Sequence, residues 1–249
     1  MLGQTLLAQV NTEQLRQAVL TPGLHSSLDA DFGLVSGNSK LMQATGSLRF
    51  DYLRGNGHSF VVINRQLGQA DSLLINKGFV HGRFTRAFSD KLSLETFAQN
   101  EFNDFIRLKS RNLAGGGFRV RWREAGPGDK KPTGIRLHTG IGLMWEQERI
   151  LGAVDQADVK KNLLRSTNYL VFRWLPDERI LMQATSYYQF DVQNPRDFRL
   201  LLDAGLAVTL TEKIALTVKI DSRYDHLPPA GFNLEKYDLE LTSGLSYSF

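Results

Sequence analysis

The chain reads as an all-β protein, a transmembrane antiparallel up-and-down β-barrel of about 12 strands. Three observations predict this. First, the closing stretch 237–249 (YDLELTSGLSYSF) sorts by twos into an apolar row, Tyr237, Leu239, Leu241, Leu245, Tyr247 and Phe249, and a polar row, Asp238, Glu240, Thr242, Ser246 and Ser248. A period of two is a strand with one greasy and one wet face, and this length suits a strand set between lipid and a lumen. Second, the connections alternate in character: turns near Gly55, Ser89, Gly126, Pro176 and Glu212, against mostly longer loops near Gly68, Asn103, Val154, Asn194 and Pro228. Third, outward aromatics gather at the two strand ends, as rings that prefer the headgroup level would.

The segment 1–23 stands apart from the barrel, 24–249. Residues 1–10 (MLGQTLLAQV) look like the remnant of a secretory signal without its cationic start, or equally like an amphipathic segment. Residues 11–20 carry an Asn/Thr cap and good helix formers for about two turns, and Pro22-Gly23 breaks them.

The first strand, 24–36, turns Leu24, Leu28 and Phe32 outward and His25, Asp29 and Asp31 inward, and 37–40 is a hairpin turn. The second, 42–52, sets Phe50 and Tyr52 against Arg49 and Asp51. The third, 58–66, is the least regular, because Val61 and Ile63 blur its alternation. The fourth and fifth, 77–88 and 92–102, send His81, Arg83, Glu95 and Glu101 inward. The sixth, 109–122, carries Arg111, Gly115, Gly117, Arg119 and Arg121 inward, with Trp122 outward.

Beyond the polar stretch 126–133 the repeat resumes. The seventh strand offers Trp145 outward and Arg136, His138, Glu146 and Glu148 inward, and a loop is expected over 149–162. The eighth has Trp174 out and Arg165 and Arg173 in; the ninth has Tyr188 out. The tenth is the clearest, with Phe198 to Leu210 alternating against Arg199 and Asp203. The eleventh sets Ile214 to Tyr224 against Lys219, Asp221 and Arg223. An even strand count is expected to close the sheet, so that no edge is left unpaired in lipid.

Composition narrows the function. The 249 residues contain no cysteine, so disulfides and thiolate chemistry are excluded. A net charge of +4 is too small and diffuse to point to nucleic acid. No cofactor motif appears, and His25, His81 and His138 are not brought together by any spacing a metal needs.

Three stretches, 33–39 (GLVSGNS), 112–122 (NLAGGGFRVRW) and 224–231 (YDHLPPAG), resemble the salt-induced outer membrane proteins, a family built on a domain of unknown function. The resemblance spans about 24–249. It implies a Gram-negative outer-membrane location, with outer-membrane lipid and lipopolysaccharide around the barrel. It also implies that Phe249 serves as the assembly signal, read through the C-terminal strand by the barrel-assembly machinery. It brings no catalytic residue. The mid-chain glycines also have a plain reading, as room at crowded inward positions.

The candidate lumen-lining set is Arg111, Arg119, Arg121, Arg136, Glu95, Glu101, Arg165, Asp203, Lys219, Asp221, Asp238 and Glu240. The membrane girdle is Trp122, Trp174, Trp145, Tyr52, Tyr188, Tyr237 and Tyr247. Glu95 and Glu101 pair with part of the arginine set, which leaves a net positive patch toward the turn end. The first functional reading is a narrow, weakly anion-preferring channel for ions or small solutes. The alternative is a non-conducting structural or adhesive barrel, its lumen filled by its own ion pairs. An outer-membrane hydrolase comes third: Asp221, Asp225 and His226 could form a rim cluster, but no nucleophile accompanies them.

Overall fold

A computed structural model of the chain describes residues 21–35, 41–70, 73–123, 134–152, 157–211, 214–228 and 235–247. The proposed signal remnant and helical segment, the 37–40 and 126–133 turns and Phe249 lie outside these residues.

Twelve strands follow one another: β1 (Gly23–Val35), β2 (Leu41–Arg54), β3 (Gly57–Ala70), β4 (Leu73–Ala87), β5 (Leu92–Asn103), β6 (Leu108–Arg123), β7 (Gly134–Ile150), β8 (Val159–Leu175), β9 (Ile180–Asp191), β10 (Phe198–Thr209), β11 (Ile214–Asp225) and β12 (Tyr237–Tyr247). Each pairs antiparallel with the next in sequence, giving one sheet in the order β1 to β12. This is the up-and-down architecture of a transmembrane β-barrel. The one helical element is a 3-10 turn, Asp104–Ile106, between β5 and β6. Arg107 follows it in the left-handed region at φ 58° and lets the chain reverse into β6.

The period of two does the folding. On β5 the inward row Glu95, Gln99, Glu101 and Asn103 is buried, and on β7 the row His138, Gly140, Met144, Glu146, Glu148 and Ile150 is buried. The alternate row is exposed and mostly apolar, with Phe118 and Trp122 on β6 and Ile141 and Leu143 on β7. An exposed apolar row around a buried charged one inverts a soluble sandwich and is what a strand in lipid requires.

Three expectations are corrected. Closure is the first: among the described residues β1 and β12 do not pair, and both faces of each are largely exposed. An even count makes antiparallel closure possible but does not itself supply hydrogen bonds between the two edges. The second is the loop near Gly68. β3 and β4 run on through it in register to Ala70 and Leu73, so that the connection is residues 71–72. The third is the loop over 149–162, which shortens to 151–158 because Arg149 and Ile150 pair with Lys160 and Val159.

The blurred third strand also finds its reason. Val61 and Ile63 are its outward, exposed residues, while Phe60 and Val62 are buried inward. Apolar residues on both parities erase the alternation where the interior itself is apolar.

Candidate functional site: the barrel interior

The loop-end half of the interior is an ionic lattice centred on Glu146. Its Oε1 accepts from Arg111 Nη2 at 2.9 Å and from Arg199 Nη1 at 2.8 Å, and its Oε2 accepts from Arg165 Nε at 2.8 Å. Arg111 also meets Glu101 at 3.1 Å and Glu148 at 3.1 Å. Arg165 Nη2 reaches Asp197 at 2.9 Å, and Arg199 Nε donates to Asp225 at 2.9 Å. The Glu146 and Arg165 side chains are 0% exposed. Charges removed this far from water persist only where partners surround them on several sides, as here.

Below this lattice lies an apolar and aromatic layer. Leu113, Met144, Tyr187 and Leu201 are buried on the inward faces of β6, β7, β9 and β10. The rings of Phe60, His81 and Phe97 follow one another at 5.7 and 6.2 Å across β3, β4 and β5. A cavity of about 40 Å³ is left among Phe97, Leu113, Met144, Tyr169, Tyr187 and Leu201. That is room for about one water.

The glycines make this packing possible. A Cβ on Gly117 would lie 2.2 Å from the Ile141 carbonyl oxygen, and one on Gly140 would lie 2.0 Å from the Tyr169 ring. Tyr169 lies over Gly140 and donates its hydroxyl to Glu95 at 2.6 Å, from β8 to β5. Arg119 lies 3.9 Å from Glu95 and 3.3 Å from the Tyr169 hydroxyl.

Toward the other edge of the sheet, Arg223 pairs with Asp203 at 2.6 Å. Asp203, Asp221 and Glu240 stand directly across from one another on β10, β11 and β12. Asp238 is half-buried and stands across from Arg223.

The site differs from the expected one in three ways. Arg121 and Lys219 are on the inward parity but exposed: Arg121 stands near the turn end, and Lys219 stands mid-strand, across from the exposed Thr242 of the edge strand β12. The positive patch that was to include Arg111 and Arg119 shrinks to Arg136 and Arg173. Glu101, Glu146 and Glu148 surround Arg111, and Glu95 faces Arg119. Asp225 and His226 do not form a rim pair: Asp225 accepts from Arg199, whereas His226 stacks on Phe198 with centroids 4.8 Å apart. Among the described residues no group of three His, Asp or Glu is arranged to hold a metal.

On the outer surface Tyr52, Trp122, Trp145, Trp174, Tyr188 and Tyr237 are exposed. At the loop end Tyr188, Phe198 and Tyr224 form a continuous aromatic band, with centroids 6.0 and 5.8 Å apart. The Tyr247 side chain is outside the described residues.

A family described as "Protein of unknown function, DUF481" matches residues 28–249. The chain belongs to the DUF481 family. No curated protein matches this DUF481 chain. Among solved structures it is similar to the NanC porin, with a TM-score of 0.48 and 10% identity over 91% of this chain and 99% of that one. It is also similar to the translocator domain of the autotransporter NalP from Neisseria meningitidis, with a TM-score of 0.42 and 12% identity over 96% and 92%. A third similar structure is the β domain of the Bordetella autotransporter BrkA, at 0.37 and 13% over 91% and 98%.

Proposed function

We propose that this DUF481 protein is a Gram-negative outer-membrane barrel whose interior is filled by its own side chains. It works as a non-conducting scaffold or adhesin through its outer loops. One observation carries this reading: the lattice around Glu146 and the apolar layer beneath it lie one above the other along the inward faces of β5 to β10. An ion crossing the interior would have to break several buried ion pairs, each strongly destabilising to disrupt, and then pass a packed layer whose one cavity, about 40 Å³, has room for about one water. The geometry therefore favours the filled-barrel alternative over the narrow channel.

The surroundings follow from the outer surface. The exposed apolar row and the aromatic bands fit outer-membrane lipid, with lipopolysaccharide at the loop end. The kinship with salt-induced outer membrane proteins, and assembly through the C-terminal strand, belong to the same reading. Liposome swelling tests it: vesicles carrying the folded protein should swell no faster than empty ones in ions or small sugars, and size-dependent swelling would restore the channel.

A further inference from the structure

We propose that the turn-end mouth of the interior holds an oxyanion-binding site built on Arg136 and Arg173, which takes a soluble phosphate- or carboxylate-bearing ligand. Arg136 on β7 and Arg173 on β8 are direct cross-strand partners on the inward parity. Directly opposed like charges destabilise a sheet. Arg173 feels the repulsion of Arg136, and its Nε is buried without a hydrogen-bond partner.

Elsewhere in the interior, arginines meet carboxylates: Arg49 with Asp51, Arg83 with Glu95, Arg165 with Glu146 and Asp197, Arg223 with Asp203. Neither Arg136 nor Arg173 has an ion pair among the described residues. In the turn that follows β8, Asp177 accepts from the backbone of Arg179 and Ile180.

The register continues the site sideways. Arg173 stands across from Gln183, Gln183 from Gly205, and Gly205 from Lys219. Gln183 lies against Gly205, its Nε2 3.5 Å from where a Cβ would stand. Gly205 places no side chain of its own between that amide and the exposed Lys219 on the next strand. The result is a row of donors, Arg136, Arg173, Gln183 and Lys219, in which no member stands directly across from a carboxylate among the described residues; the acids Asp203, Asp221 and Glu240 lie two residues further toward the loop end. Guanidiniums bind carboxylate and phosphate oxygens through paired N–H donors, and a bound anion removes the repulsion between them. The row faces away from the lipid side, which is why the ligand is soluble.

Binding is an equilibrium property of the folded barrel and is read whether or not the interior passes current. The test is calorimetric titration of inorganic phosphate, and separately of acetate, into the folded protein in an uncharged detergent. Sodium chloride of matched ionic strength is the reference. At least one anion should bind saturably at one site. Arg136→Gln with Arg173→Gln should weaken it by about tenfold or more, while Arg65→Gln on the outward row should not. The same anion should raise the unfolding temperature of the natural protein and not of the double variant. Should the double variant fail to fold, Gln183→Glu, which adds a carboxylate beside the guanidiniums, should abolish binding instead. Heats that never saturate with either anion, or equal affinity in the variants, would overturn the site. Binding of phosphatidylglycerol micelles without any response to the free anions would overturn the soluble ligand.

Discussion

Glu146 on β7 and Arg199 on β10 meet across the interior, Oε1 to Nη1 at 2.8 Å, although two strands separate them in the sheet. Glu146 is thereby a cross-brace as well as a lattice centre. Glu146→Gln keeps the shape but leaves Arg111, Arg165 and Arg199 short of charge. A loss of about 3–5 kcal/mol of folding stability is expected, as for removal of one partner from a buried pair. Equilibrium refolding in detergent, read by the heat-modifiable gel shift, measures it. A change near zero would mean that water reaches the lattice.

The glycine ladder of β6 and β7 gives a second prediction. Gly117→Val would drive a side chain into the Ile141 carbonyl and the Gly142 backbone, and Gly140→Val into the Tyr169 ring. Both should abolish or severely slow refolding. Gly46→Ala meets nothing within 4 Å and should refold normally.

The lipid-facing row supplies a third. Leu206→Arg, near the middle of β10, should cost about 2–4 kcal/mol in bilayers. The inward comparison should be Thr209→Arg, at an exposed position of the same strand facing Ala215, because Leu201 is packed into the apolar layer and its replacement would also be costly. If Thr209→Arg proves the more damaging, the inside and outside of this part of the sheet are reversed.

A fourth prediction concerns Phe249, the proposed assembly signal. If the assembly machinery reads it, its deletion should reduce insertion in cells far more than refolding in vitro. Equal losses in the two assays would make it a packing residue.

The strand order and the two faces of most strands were legible because lipid and interior impose opposite chemistry on alternate residues. Phe198 to Val208 against Arg199 and Asp203 is the plainest case. What could not be read was how inward residues meet across strands, since alternation gives a face and no partner. Arg111 looked like part of a positive patch until the register set Glu101 and Glu148 opposite it and the curl of the sheet brought Arg199 to the shared Glu146. Asp197 was missed altogether: it lies just before β10, outside any period, and its carboxylate reaches Arg165. The apolar layer left a trace in the irregularity at Phe60 and Val62, where period two fails because both faces are apolar.

Single-channel recording in planar bilayers tests the filled interior most directly. The folded natural protein should pass no current over a wide voltage range. A variant combining Glu146→Ala, Arg165→Ala and Leu201→Ala, verified as folded, should conduct, because it removes the lattice centre and one wall of the apolar layer together. Steady unitary currents from the natural protein would contradict the closed interior and return the channel as the better account.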